Sequence, residues 1–203
     1  MSTAWFHCFS GIAGDMALGA LLDAGAPLDE VTGLLDRLPL SGWALDAEPV
    51  LRGGIAGTQV HVRAEDSTVV RTAAHIQGLV LEARLPDRVQ ARALAVFGAL
   101  AEAEGRLHRR PPDQVHFHEV GGIDAIVDVV GTCAALEVLG VHEVRCSPVA
   151  VGLGMVRSAH GIIPNPAPAV VELRRGVPTH GGDLAVELST PAGAALVAGL
   201  ASG

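Results

Sequence analysis

Aromatic residues make up only 3% of this sequence, and tyrosine is absent altogether. Any core must be filled by smaller aliphatic side chains, and an apolar share of 49%, mostly alanine, valine and leucine, is ample for that. Cysteine is scarce too. The three, Cys8, Cys133 and Cys146, are odd in number and form no CxxC pair. That argues against a disulfide framework or a four-thiolate zinc site and fits a reducing compartment. Basic residues are outnumbered 14 to 22, for a formal net charge of −8. The chain therefore lacks the positive face that a nucleic acid or an anionic membrane requires, while remaining compatible with handling cations. No Lys or Arg precedes the first apolar run, so a secretory leader is not expected and the cytoplasm is the expected location. The most apolar stretch, residues 121–141, is interrupted by Asp124, Asp128 and Glu137, which argues against a membrane span.

What is present suits a folded chain of 203 residues with one sizeable domain. The 25 glycines and 12 prolines are interleaved with apolar segments, so they signal tight turns and not disorder. Residues 4–9 read as a buried strand. Residues 10–14 are a glycine-rich turn into a helix opened by Asp15 and stopped by Gly25. Leu28, Val31, Leu34, Leu35 and Leu38 mark a second helix, ended by Pro39. Alternation at Trp43, Leu45 and Ala47 and at Val60 and Val62, around Gly53, Gly54 and Gly57, predicts an antiparallel pair with one wet face. Thr72 caps a helix to Arg84. Pro86 starts another through Val89, Ala93, Val96, Phe97 and Leu100, closed by Gly105.

Residues 106–113 then read as a basic loop, 114–140 as an extended segment entering a long apolar helix, and 141–146 as a strand. A Gly/Pro loop over 152–168, a helix to Arg175 and a strand at 184–188 follow. Ser189 or Thr190 caps the last helix, with Pro191 at its first position. The expected fold class is α+β (mixed α/β), with one sheet, at least one antiparallel hairpin and several packing helices. There is no internal repeat or low-complexity tract.

Four blocks carry candidate chemistry. In CFSGIAGDM, a strand, a glycine turn and a helix start leave N–H groups facing the turn. An anion could bind there through Ser10, Gly11, Gly14 and Asp15, or the pattern is a plain helix cap. In HFHE, His116 and His118 at i and i+2 of an extended segment project to one face. Asp124 and Asp128 at i and i+4 share a helix face, where a cation or an arginine would relieve both repulsion and burial. His116, His118, Asp124 and Asp128 are thus candidate ligands for nickel, zinc or copper. The alternative is a capping histidine and a wet acidic face. His160, beside a stiff proline-rich run, could act as base, phosphate contact or ligand. His160 and Glu119 are the candidate catalytic residues. Finally, the helix start at Thr190 could take a second anion or serve only as a cap. His61, His75, His108, His142 and His180 are scattered and read as structural or surface residues. No Walker lysine motif, GxSxG elbow or HExxH occurs.

Taken together, CFSGIAGDM, HFHEVGGIDAIVDVVG, GLGMVRSAHGIIPNPAPAVVELRRG and ELSTPAGAA, in that order and across nearly the whole chain, resemble the LarC family of nickel-insertion proteins. The resemblance implies a nickel chelatase of the lyase class. Such an enzyme inserts Ni(2+) into a pyridinium bisthiocarboxylic acid mononucleotide to make the nickel-pincer nucleotide cofactor, and consumes CTP with Mg(2+) or Mn(2+). It also implies that residues 1–203 form a single N-terminal domain, with CTP bound by a C-terminal region or polypeptide outside this chain. The expected partners are the mononucleotide and that C-terminal region, and a homo-oligomer is compatible. Mixed nitrogen and oxygen ligands suit a metal that must pass to a softer thiocarboxylate donor. Two other readings stay open at this stage. One is a non-catalytic nickel or nucleotide carrier, since no nucleophile with an adjacent base is evident. The other is a metal-dependent phosphohydrolase, from the paired aspartates and the anion-binding turn.

Overall fold

The computed structural model describes residues 2–64, 71–118 and 120–202. Its organising element is α5 (Ile123–Val138), whose residues 125–136 are buried almost without a break. A helix apolar on every side has to be surrounded. Here α1 (Gly14–Asp23), α2 (Leu28–Leu35) and α4 (Asp87–His108) pack on it, and α7 (Pro191–Leu200) lies along α4. Leu18, Leu35, Phe97, Leu100, Ile126, Leu136 and Leu196 form the centre. Each such aliphatic side chain contributes roughly 1.5–3 kcal/mol on burial. With few aromatics to fill space, the helices approach closely over small residues such as Ala134, Ala135, Ala194 and Ala195. A Cβ on Gly199 would fall 2.7 Å from the Val96 backbone, so the α4–α7 crossing requires glycine. α3 (Ala73–Glu82) packs on α4, and its start is capped by Thr72, whose hydroxyl accepts from the His75 N–H at 3.1 Å.

The fold class is mixed α+β, as expected, but the single sheet is replaced. Among the described residues the strands pair two by two. β1 (Ser2–Phe6) runs parallel to β6 (Val141–Cys146), and β2 (Trp43–Arg52) antiparallel to β3 (Ile55–Ala64) around Gly53 and Gly54. The short β4 (Arg71–Thr72) and β5 (His116–Phe117) are antiparallel. β7 (Val149–Val151) pairs in parallel with β10 (Thr179–Gly181), and β8 (Met155–Ser158) forms a hairpin with β9 (Gly161–Pro164). Helices α4 and α5, not a sheet, supply the surface on which much of the rest packs. The short helix α6 (Pro168–Leu173) starts at a proline, as its N-terminal position allows. No helix among the described residues is long and apolar enough to cross a membrane.

Three local expectations are corrected. Helix α4 does not close at Gly105 but continues to His108, and ends at Arg109 in the left-handed region (φ 51°). Gly105 marks where the chain folds back: its carbonyl accepts from the Arg110 N–H at 3.0 Å, and a Cβ there would sit 2.9 Å from the Arg110 carbonyl. The 152–168 loop contains the β8–β9 hairpin, with Gly154 and Gly161 at φ +90° and +92°. The expected strand at 184–188 is absent, because its carbonyls go to different partners. Leu184 accepts from the Leu153 N–H, Val186 from the Asn165 side-chain amide and Leu188 from the Ile12 N–H.

Candidate functional site

Two neighbouring cavities hold most of the polar side chains singled out by the sequence. The larger, of about 450 Å³, is built where the N-termini of α1 and α7 come side by side. They are clasped by the turn before α1. The Thr190 N–H donates to the Ile12 carbonyl at 3.1 Å, the Ser189 hydroxyl donates to the Ala150 carbonyl at 2.8 Å, and a Cβ on Gly193 would meet the Ile12 carbonyl at 2.1 Å. The Thr190 hydroxyl accepts from the Gly193 N–H at 3.1 Å and fixes the first turn of α7. Gly14, Asp15 and Thr190 line this cavity as the anion-turn reading requires, whereas Ser10 and Gly11 do not. Ser10 is exposed, and Gly11 (φ +90°) is packed so tightly that a Cβ would overlap the Leu188 carbonyl.

Asp124 and Asp128 project from the first turns of α5 into the same space. Gly14 lets α1 approach them, since a Cβ there would lie 2.8 Å from the Asp128 carboxylate. The backbone N–H of Asp15 then donates to that carboxylate. Burial still dominates. With repulsion from Asp15 and Asp124, it pushes Asp128 up to about 7, the Asp15 N–H opposing in part. Asp128 Oδ1 has no hydrogen-bond partner among the described residues. Glu187 adds a further carboxylate, while Arg157 and His61 supply the opposing groups. The cavity is thus oxygen-rich and favours cations, with phosphate-binding capacity confined to the helix starts and Arg157.

The smaller cavity, of about 240 Å³, adjoins the first through Ile163 and Ala167, which wall both. It is lined by His108, His118 and His160. Their rings lie 5.9 Å (108–118), 5.1 Å (108–160) and 5.0 Å (118–160) apart between centroids. One nitrogen from each falls within 4.8 Å of the others. His108 ends α4, His118 follows β5, and His160 sits in the turn between β8 and β9. Glu104, one helical turn before His108, meets its Nε2 at 3.2 Å. The pairing of β5 with β4 holds the approach to His118, and Arg71 anchors the following loop by donating to the Gly121 carbonyl at 2.9 Å.

The HFHE block is therefore divided. His118 joins the imidazole cluster, whereas His116 stands 6.4 Å from His118 between ring centroids and lies outside the cluster, its Nδ1 buried without a partner among the described residues. Asp124 and Asp128 belong to the other cavity, and Glu119 lies outside the described residues. His108, which the sequence reads as a structural or surface residue beyond a helix closing at Gly105, is the member of the cluster that sequence reasoning misses. The Glu104–His108 spacing at i and i+4 was the available signal, once the helix is extended past that glycine. Cys8, Cys133 and Cys146 are free thiols and line neither cavity.

A family model described as "Nickel insertion protein" matches residues 4–203. A pyridinium-3,5-bisthiocarboxylic acid mononucleotide nickel insertion protein of Desulfitobacterium hafniense (strain DSM 10664 / DCB-2) is 45% identical over 197 residues, covering 97% of this chain and 49% of that protein. One of the same name from Nocardioides sp. (strain ATCC BAA-499 / JS614) is 46% identical over 202 residues, covering 100% of this chain and 51% of its own length. The chain spans about half the length of the curated relatives it matches. No solved structure matches it significantly.

Proposed function

We propose, because the chain belongs to the nickel insertion protein family, that it holds nucleotide and nickel in a nickel chelatase of the lyase class. The substrate is the one named for its relatives, pyridinium-3,5-bisthiocarboxylic acid mononucleotide. The product is the nickel-pincer nucleotide cofactor. One observation carries this reading: a cavity of nucleotide size, about 450 Å³, shares two wall residues with a pocket lined by three imidazoles. The organic substrate fits the first, its phosphate directed at the starts of α1 and α7 through Gly14, Asp15 and Thr190, and at Arg157. Asp128, its carboxyl pushed up to about 7 by burial, can exchange a proton beside it at neutral pH. His160, on the hairpin that walls both cavities, lines the smaller one beside His108 and His118.

In this reading CTP with Mg(2+) or Mn(2+) acts through a C-terminal region or polypeptide, to which this chain is the N-terminal domain. Three free thiols support a cytoplasmic setting. The test combines the chain with the C-terminal region of a full-length relative, the mononucleotide, NiCl2, CTP and Mg(2+), and reads nickel in the nucleotide by mass spectrometry. Repeated turnover is expected. Stoichiometric nickel or nucleotide retention without product describes a carrier and overturns the chelatase, as does phosphate release from simple esters without nickel transfer.

A further inference from the structure

From the geometry we infer that His108, His118 and His160 form a three-imidazole Ni(II) site, with Glu104 positioning His108. The inference rests on the nickel-insertion reading and gives it a ligand set. Three polar rings from three separate elements, 108, 118 and 160 in the chain, converge with their nitrogens within 4.8 Å of one another. Aromatic packing does not explain this. The rings are solvent-accessible, the His108 side chain being 32% exposed, and protonation of any two would set like charges about 5 Å apart. A divalent cation converts that repulsion into coordination.

The donor chemistry selects the metal class. Neutral imidazole suits nickel, copper, zinc and cobalt and is a poor ligand for magnesium or calcium. Three protein donors leave coordination positions open, as in metal sites that must also bind an exogenous ligand. A site that hands on its cargo needs the same: a sulfur of the incoming thiocarboxylate can join the nickel before the imidazoles leave. A carboxylate on one ring nitrogen orients a metal-binding histidine and raises the basicity of the other nitrogen. Glu104, its side chain 16% exposed and 3.2 Å from His108 Nε2, is so placed. Leu107, Ile163 and Pro168 make the remaining wall apolar, which strengthens charge interactions at the metal. The β8–β9 hairpin joins the two cavities: Arg157 and Ser158 face the larger and His160 the smaller.

The test is Ni(II) titration by calorimetry, with Co(II) absorption as a second probe of ligand type, on the wild-type chain and on His108→Ala, His160→Ala, His108→Gln and His116→Ala. Circular dichroism checks the fold of each. Wild type is expected to bind one nickel, and the first three substitutions to weaken binding at least about tenfold. His116→Ala should leave it within about twofold, because its ring stands outside the cluster. Absence of nickel binding by wild type, unchanged affinity in folded His108→Ala and His108→Gln, or loss confined to His116→Ala overturns the site. The insertion reading fails separately. Nickel bound at the cluster with no loading of the nucleotide leaves the site standing and removes that reading. Normal loading by His108→Ala and His160→Ala does the reverse.

Discussion

The two cavities share Ile163 and Ala167 yet differ in nearly every donor they offer. The larger presents mainly carboxylates and helix N-termini, and the smaller mainly imidazole nitrogens. The oxygen donors come from positions 15, 124, 128 and 187, the nitrogen donors from 108, 118 and 160. Neither set is a local motif. His118 and Asp124 are only six positions apart, but the Gly121–Gly122 break turns the chain before α5 begins, so they face different chambers. Carboxylates thereby predominate in one chamber and imidazoles in the other, with His61 and Glu104 as the exceptions.

The largest expected effect on this contrast comes from Gly14→Ala. Alanine normally favours a helix interior by up to about 1 kcal/mol over glycine. Here its Cβ would lie 2.8 Å from the Asp128 Cβ and carboxylate, so a net loss of about 2–3 kcal/mol is expected from overpacking. Chemical denaturation measures it, and nickel affinity should not move. A gain in stability would show that the acidic wall yields and that the separation is soft.

Asp128→Asn should act in the opposite direction. Well below the ordinary aspartate value of 3.8, Asp128 is protonated in both states, and its burial costs little. As pH rises, the unfolded chain ionises first, and the native state loses relative stability until the folded group ionises near 7. The substitution should therefore stabilise by on the order of 2 kcal/mol at pH 8 and by only a few tenths of that at pH 4. Melts across that range decide it. A pH-independent effect would mean that the carboxyl is not held neutral by its surroundings.

On the other side of the wall, Glu104→Gln should weaken nickel binding about tenfold, near 1.4 kcal/mol, by loosening His108. Stability at the larger cavity should be unchanged. An unaltered nickel isotherm would remove Glu104 as a positioning residue. The smallest effect is expected for Thr190→Ala, which should cost about 1 kcal/mol in thermal unfolding through loss of the α7 cap, with Thr190→Ser close to wild type. Equal losses in both would point to packing of the methyl group instead.

Features set by neighbouring residues were legible from sequence. The caps at Thr72 and Thr190, the stop at Gly25, the hairpin around Gly53 and Gly54 and the start of α4 after Pro86 all depend on contacts within one turn. At the site, the shared helix face of Asp124 and Asp128 follows from their i, i+4 spacing, whereas their meeting with Gly14, Asp15 and Thr190 in one cavity, apart from His116 and His118, does not. Gly105 shows where such reasoning stops. A glycine near a helix end signals a cap, but this one lies a turn inside the helix and serves the close fold-back of Arg110, five positions on.

By itself, then, the sequence determined most helices and the β2–β3 hairpin, the buried identity of α5, the acidic balance and, through four ordered strings, the family. Only the tertiary structure decided which histidines meet. Capping, turn formation and apolar periodicity are short-range effects written in adjacent residues. Convergence of positions 108, 118 and 160 depends on how α4, the β5 loop and the β8–β9 hairpin pack around a common core. That arrangement follows from close packing summed over the whole chain, and no local spacing encodes it.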